Sequence, residues 1–188
     1  MGLISGYKLD PRPTAIISFF PYCANFLDGL AYDSTHLPSK HLVKQVRNLT
    51  KIAIGAPNED ARHKLLFQSL KEQKGGWLLV SHDPHEDPNL IREKLKEFSA
   101  VEHIDENYPP TYLSHGQNDI IVPFNQSIQM AERLEQHGRD VVLDLSPGGH
   151  SYDLLPPENI WKEHIVPAFD WAGMQVGKAA QAARHKKD

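Results

Sequence analysis

The chain has 188 residues, of which 40% are hydrophobic and 23% charged, which suits a folded globular protein rather than a disordered one. The net charge of −4 at pH 7 offers no basic surface for nucleic acid or anionic lipid, so neither is expected as a partner. Cys23 is the single cysteine, which excludes an internal disulfide and a Cys-pair zinc site. It is interpreted as a packed thiol rather than a nucleophile.

The first residues carry no recognisable targeting signal. Residues 1–8, MGLISGYK, lack the basic start and long apolar run of a secretory signal. No segment reaches the roughly 18 consecutive apolar residues that a membrane span requires. The sequence therefore predicts a cytoplasmic protein that does not enter a membrane.

The first predicted elements are a short helix and a buried strand. Residues 2–7 are helix-like, and Pro11 and Pro13 break the helix because proline lacks an amide donor and restricts the preceding residue. Residues 15–20, AIISFF, form a short, β-branched and aromatic run. Such a run predicts a strand covered on both faces, as in a parallel sheet.

Residues 22–107 are polar and irregular, and are predicted to be an insertion over the sheet. Acidic residues in 57–60 favour a helix start, and the helix is expected to end before Gly75. A second helix is predicted from Asn89 to Phe98. The apolar stripe of the first helix comprises Ala61, Leu65, Leu66 and Leu70.

The remaining residues alternate between strand and helix patterns. Strands are predicted at 112–114 and 141–145, and helices at 123–138 and 160–172. Strand–helix–strand order with short links predicts an α/β fold with a parallel sheet and flanking helices. Residues 178–188 are rich in Ala and Lys and are expected to fray.

Two polar loops follow the predicted strands of this C-terminal region. Residues 115–119 contain Asp119, and residues 146–153 contain His150, 31 residues later. Because the carboxyl ends of neighbouring parallel strands meet at one edge, the two side chains are expected to lie together. A carboxylate orients an imidazole and stabilises the imidazolium that forms when the ring accepts a proton. Asp119 and His150 are therefore the candidate catalytic residues.

Two motifs surround the candidate residues: residues 108–123, YPPTYLSHGQNDIIVP, and residues 147–153, PGGHSYD. Together they resemble the α/β-hydrolase family, in particular its esterase/lipase-like, prolyl-oligopeptidase-type peptidase branch. Residues 7–13 and 81–84 are similar to the helix-to-strand link and the cap of that branch. The resemblance implies that 1–188 is one partial α/β-hydrolase domain in which 22–107 is a cap- or lid-like insertion. It also implies that Asp119 and His150 are the acid and the histidine of a triad, in the family's order of Ser, Asp and His.

The family's nucleophile motif, G-x-S-x-G, does not occur in this sequence. Around Ser5 the spacing differs, with Tyr7 in place of the second glycine. The resemblance aligns residues 2–7 with the end of the helix that follows the nucleophile. It therefore places the serine, the oxyanion-hole loop and the early strands before Met1, and predicts a truncated domain. Ser5, Ser114 and Ser151 are the nearest candidates for a replacement nucleophile.

Three functions remain open from the sequence. The first is hydrolysis of an ester, thioester or amide of a small molecule, with the serine supplied from elsewhere. The second is a catalytically inactive hydrolase homologue that binds a ligand or partner through the cap, and the third is a non-hydrolytic acid–base enzyme such as a cyclase or lyase. No cofactor is expected. Because the strand at Ile16 would lack one neighbour, a homodimer or a partner that covers its apolar edge is also expected.

Other residues have less specific interpretations. Residues 82–87, HDPHED, have the side chains of a metal site, but the cap resemblance favours a structural loop, so no metal is expected. Trp77, Leu78 and Leu79 could line a pocket, although buried packing in the cap is favoured. His115 is interpreted as positioning the backbone of the acid's loop rather than as catalytic.

Overall fold

The computed structural model divides into two compact units, Met1–Ala24 together with Ser99–Asp188, and Asn25–Phe98. The smaller unit falls within the segment predicted to be an insertion, and its role as a cap stays a prediction. The structure describes residues 2–22, 38–49, 64–65, 68–69, 72, 74–81, 83 and 85–185.

The described elements outside 25–98 follow the predicted order, and the helix predicted at 89–98 is present; the helices at Lys40–Leu49 and Gly75–Val80 were not predicted, and the last helix runs 13 residues past the predicted end at 172. In chain order they are α1 (Gly2–Lys8), β1 (Ile16–Phe19), α2 (Lys40–Leu49), α3 (Gly75–Val80), α4 (Pro88–Lys96), a 3-10 turn (Ala100–His103), β2 (Thr111–Gly116), α5 (Asn125–Gln136), β3 (Val141–Ser146), α6 (Glu158–Ile160), a π-helical turn (Trp161–Ile165) and α7 (Val166–His185). Most of the helix predicted after residue 57, and Cys23, lie outside the described residues.

The described strands form one parallel sheet in the order β1-β2-β3. This confirms the predicted α/β arrangement of parallel strands with flanking helices. β2 lies in the middle and is buried along its whole length. In β1 only Ile16 is fully buried, whereas the prediction had the whole strand covered on both faces. The difference arises because β1 lies at the edge of the described sheet.

Alternation along the strands sends successive residues to opposite faces of the sheet. Leu113 and Ile16 face one side, where they pack in a core with residues of α1 and α5. Tyr112 faces the other side and packs against Trp171 and Ala168 of α7. Helices therefore cover both faces of β2, which explains its complete burial.

The ends of the two long helices follow different rules. α5 is followed by Gly138, whose φ of +66° is a left-handed conformation that glycine adopts without a Cβ clash, as the sequence predicts. α7 continues to His185, so the segment expected to fray from residue 178 is helical up to that point, with exposed side chains. No helix in the described part of the chain is long and apolar enough to cross a membrane.

The Asn25–Phe98 unit has its own small core, formed between α2, α3 and α4. Trp77 is 1% exposed and belongs to this core, so it packs internally rather than lining an open pocket. The core residues are Leu42, Val46, Trp77, Ile91 and Leu95.

The described residues of the predicted loop 82–87 make local structural contacts. Asp87 caps α4 by accepting a hydrogen bond from the Asn89 amide at 2.9 Å. Glu86 pairs with Lys94 of α4, and Asp83 accepts from the amide of His85 at 2.9 Å. Each carboxylate therefore has a protein partner, which agrees with a structural role for this loop.

Candidate active site

The carboxyl ends of β2 and β3 are joined by backbone hydrogen bonds just beyond the strands. The Gln117 amide donates to the Ser146 carbonyl at 2.7 Å, and the Asn118 amide donates to the Gly148 carbonyl at 3.0 Å. At Gly116 the backbones approach so closely that a Cβ would lie 2.3 Å from the Gly148 carbonyl oxygen. Glycine at position 116 is therefore what allows the two loops to meet.

Asp119 and His150 lie at this junction and are hydrogen-bonded to each other. His150 Nδ1 is 2.8 Å from Asp119 Oδ2, as expected from their positions after neighbouring parallel strands. Asp119 Oδ1 accepts hydrogen bonds from the Ile121 and Val122 amides, each at 2.8 Å. The Asp119 side chain is completely buried, and the His150 side chain is 27% exposed.

These contacts determine the charge of Asp119. Burial alone raises the pKa of the Asp119 carboxyl, but hydrogen bonds from the Val122 amide, His150 and the Ile121 amide together lower it below its ordinary value. An ionised carboxylate only accepts hydrogen bonds, so His150 Nδ1 carries the proton that faces it. In a neutral ring Nε2 is then unprotonated, and among the described residues nothing hydrogen-bonds to it. His150 Nε2 is thus able to accept a proton.

His115 lies behind Asp119 and is fully buried. Its Nδ1 is 2.7 Å from Ser127 Oγ, and its Nε2 is 3.0 Å from the Val122 carbonyl and 3.3 Å from Asp119 Oδ2. Because both acceptors lie on the Nε2 side, that nitrogen carries the proton and Ser127 donates to Nδ1. His115 therefore holds the loop that carries Asp119 in position, which agrees with the positioning role expected from the sequence.

The buried imidazole of His115 predicts a loss of stability in mild acid. Burial lowers its pKa below the ordinary 6.5, outweighing the opposite effects of the Val122 carbonyl and Asp119. Below pH 6.5 the unfolded chain gains this proton before the folded chain does, so the free energy of unfolding falls as the pH falls. The slope from this group is at most about 1.4 kcal/mol per pH unit. A further decline is expected below pH 3.8, where the Asp119 carboxyl becomes protonated first in the unfolded chain.

Urea unfolding at several pH values between 7.5 and 5 measures this dependence. His115→Gln keeps a donor near the Nε2 position but does not titrate, so its pH dependence should be shallower than that of the parent chain. His185→Gln, at an exposed histidine of α7, is the matched control and should not change the slope. Parallel curves for the parent chain and His115→Gln would contradict the prediction.

Two residues beside His150 have left-handed backbone conformations. Phe20, directly after β1, has φ of 38°. The centroid of its ring lies 4.9 Å from the centroid of the His150 ring. Ser151 has φ of 58°. Phe20 was predicted to belong to the strand, and its contact with His150 was not predicted. Its position at the carboxyl end of a parallel strand is the signal that could have identified it.

A second polar cluster lies on the α7 side of the same strands and was also missed. Ser114 Oγ donates to Asp144 Oδ2 at 2.6 Å and is 2.5 Å from the Tyr152 hydroxyl. His164 Nδ1 is 2.8 Å from Asp144 Oδ1. Asp144 is the one charged residue within the apolar strand VVLDL, a pattern that signals a buried polar contact.

None of the three candidate serines contacts His150 Nε2. Ser5 Oγ donates to the Gly2 carbonyl within α1, and Ser114 Oγ is buried and donates to Asp144. Ser151 is adjacent to His150 in the chain, without a hydrogen bond between their side chains. The described residues also bring no three His, Cys, Asp or Glu side chains together as metal ligands.

A cleft of about 470 Å³ lies beside the His150 loop. It is lined by glycine backbone, by apolar side chains and by the hydroxyl-bearing residues Ser151 and Tyr152. None of the residues that line it carries a charge.

Comparison with known proteins relates the chain to part of a polyketide synthase and part of an esterase. It is 31% identical over 205 residues to the non-reducing polyketide synthase ascC of Acremonium egyptiacum, a match that takes in 95% of this chain and 9% of the synthase. It is 34% identical over 65 residues to the esterase LipC of Mycobacterium tuberculosis, covering 34% of this chain and 16% of LipC. The chain therefore spans only a small part of the length of these relatives.

A solved lipase/esterase from Lactobacillus plantarum is similar in structure, with a TM-score of 0.47 and 15% identity over 91% of this chain and 51% of that chain. A protein family also matches this sequence. Residues 55–164, which are more than half of the chain and include both Asp119 and His150, match the prolyl oligopeptidase family, Peptidase_S9. The resemblance stated from the two motifs is thereby confirmed, and the chain belongs to the prolyl oligopeptidase family within the α/β-hydrolases.

Proposed function

We propose that this chain supplies the acid and the base for hydrolysis of an ester, thioester or amide bond in a small molecule. The observation that carries the proposal is the pairing of a buried, ionised Asp119 with His150 Nδ1 at 2.8 Å. This pairing leaves Nε2 available as a proton acceptor at the carboxyl end of a parallel sheet.

In this proposal His150 Nε2 takes the proton of a serine hydroxyl as that oxygen attacks the substrate's carbonyl carbon. The imidazolium, stabilised by Asp119, then gives the proton to the leaving alkoxide, thiolate or amine as the bond to the carbonyl carbon breaks. Water then hydrolyses the acyl-serine, with His150 removing the water's proton and returning it to the serine oxygen. In this proposal the serine is one of this chain other than Ser5, Ser114 and Ser151, since none of those three is hydrogen-bonded to His150 in the structure.

The cleft beside the His150 loop supports an uncharged substrate group. Its volume of about 470 Å³ falls within the range of small-molecule pockets. Because no residue of its lining carries a charge, a charged group entering it would lose hydration without gaining an ionic partner. An aliphatic or aromatic ester therefore suits the site better than a charged one.

A second candidate is acid–base chemistry without a covalent intermediate, as in a cyclase or lyase. The observation that favours it is that none of the hydroxyls of Ser5, Ser114 and Ser151 contacts His150. Under this candidate His150 would act directly on a substrate proton, and no serine adduct would form.

The test is labelling of the purified chain with a fluorophosphonate probe, which reacts with activated serines, read by intact mass. Hydrolysis of a neutral acetate ester is measured in parallel. For serine hydrolysis we expect one adduct that is lost in His150→Ala but retained in His185→Ala, a control at an exposed histidine. Peptide mapping would identify the serine.

The other outcomes discriminate between the candidates. Ester turnover that depends on His150 but leaves no adduct would favour the acid–base candidate. A folded chain that neither reacts with the probe nor turns over the ester in a His150-dependent manner would contradict both. The remaining hypothesis would then be that the chain binds a ligand or a partner.

A further inference from the structure

The loop that carries His150 has two anchored side chains on either side of a strained residue. Ser151 has φ of 58°, a left-handed conformation that costs a non-glycine residue roughly 1 kcal/mol or more. His150, before it, is hydrogen-bonded to Asp119. Tyr152, after it, contacts Ser114 through its hydroxyl. A strained conformation of this kind persists only where the surrounding contacts determine it.

The directions of the hydrogen bonds around Ser114 follow from the chemistry of its neighbours. Asp144 Oδ2 accepts from Ser114 Oγ at 2.6 Å, so the single hydroxyl proton of Ser114 is already used. At the 2.5 Å contact Tyr152 must therefore donate its own hydroxyl proton to Ser114 Oγ. His164 Nδ1 contacts the other oxygen of Asp144 at 2.8 Å. Tyr152, Ser114, Asp144 and His164 thus form one connected row, called here the Tyr152 anchor.

The Tyr152 anchor joins the loop to the sheet itself. Ser114 and Asp144 are register partners on β2 and β3, so they are held by the parallel ladder. The Tyr152 ring fills the space at Gly148, where a Cβ would lie 2.6 Å from Tyr152 Cβ. The Phe20 ring packs against two rings of the loop. Its centroid lies 4.9 Å from that of the His150 ring and 6.3 Å from that of the Tyr152 ring. Movement of Tyr152 would therefore displace the surroundings of His150.

The Tyr152 anchor does not form a second nucleophilic triad. In a triad the serine hydroxyl donates to a histidine, and that histidine is oriented by the carboxylate. Here Ser114 donates directly to Asp144, and His164 contacts a different oxygen of the same carboxylate. Nothing in this arrangement removes the proton of Ser114, so positioning is the chemistry that the cluster supports.

We infer that the Tyr152 anchor positions His150, holding the loop so that the proton on His150 Nδ1 stays directed at Asp119. The structural part of this inference is independent of any activity, and its catalytic consequence rests on the proposed function. Tyr152 is a positioning residue rather than a catalytic one. Burial raises the pKa of the Tyr152 phenol above its ordinary value, so the hydroxyl remains a donor throughout the neutral range.

The experiment compares Tyr152→Phe with Tyr112→Phe in the 188-residue chain labelled with 15N-histidine. Each substitution removes one hydroxyl from a tyrosine near Asp144, but Tyr112 is not part of the anchor; its ring packs against Trp171. The measured quantity is the exchange with water of the proton on His150 Nδ1, followed by NMR. We expect exchange about tenfold faster in Tyr152→Phe, the effect of one lost hydrogen bond, and little change in Tyr112→Phe.

A second variant separates the loss of this hydrogen bond from a loss of folding. Ser114→Ala removes the acceptor while leaving the Tyr152 ring in place, and should accelerate exchange to a similar extent. The double variant should be no faster than either single one, because both remove the same hydrogen bond. Unchanged exchange in folded Tyr152→Phe, or strictly additive effects, would overturn the inference. Since the NMR signal needs no substrate, this failure is distinguishable from absence of hydrolysis.

Discussion

Asp119→Asn is expected to lower the rate of fluorophosphonate labelling by about 10⁴, the size of effect seen when the acid of a serine-protease triad becomes an amide. The carbonyl oxygen of the new amide can still accept from the Ile121 and Val122 amides. Its NH₂ group then faces His150 Nδ1, which must act as an acceptor. The proton of the neutral ring moves to Nε2, and Nε2 can no longer accept one.

The tautomer of His150 checks this result without any turnover. Long-range 1H–15N spectra distinguish a ring protonated on Nδ1 from one protonated on Nε2, and we expect the change in Asp119→Asn. Asp119→Ala is the companion variant, since it leaves the two backbone donors unpaired and should lower the free energy of unfolding by about 1–3 kcal/mol. An Asp119→Asn chain that keeps its proton on Nδ1 would refute this account of the acid.

Gly116→Ala is expected to lower the free energy of unfolding by about 3 kcal/mol, the upper end of the usual cost of an added methyl group in a packed site. The added Cβ would lie 2.3 Å from the Gly148 carbonyl oxygen and 2.7 Å from that of Gly149. Both contacts are with backbone atoms, so no side chain can rotate away to relieve them. The β2 and β3 loops must separate, and the Asp119–His150 hydrogen bond must lengthen with them.

Gly173→Ala is the matched control for this substitution. Gly173 lies within α7, and a Cβ there would meet no atom within 4 Å. Alanine should stabilise the helix by about 0.5–1 kcal/mol because it loses less backbone freedom than glycine on folding. Urea unfolding of both variants gives the comparison. Equal stability of Gly116→Ala and the parent chain would mean that the two loops are not in close contact.

Much of the C-terminal fold could be predicted from local patterns. The apolar strand around Val142 and the helix that ends shortly before Gly138 both carry signals within a few consecutive residues. The pairing of Asp119 with His150 also followed from the sequence, because two adjacent parallel strands bring their carboxyl ends together. Local pattern, chain order and one topological rule were sufficient for these features.

Other features depended on contacts between distant parts of the chain. The need for glycine at position 116 comes from the backbone at Gly148, and local sequence does not encode such an approach. The row from Tyr152 through Ser114 to Asp144 joins two strands and a loop, and each of these residues alone has many common roles. The sequence by itself therefore determined the order of the C-terminal elements and the proximity of Asp119 and His150. Only the tertiary structure decided how their loops are held, because that depends on register and close packing between separate segments.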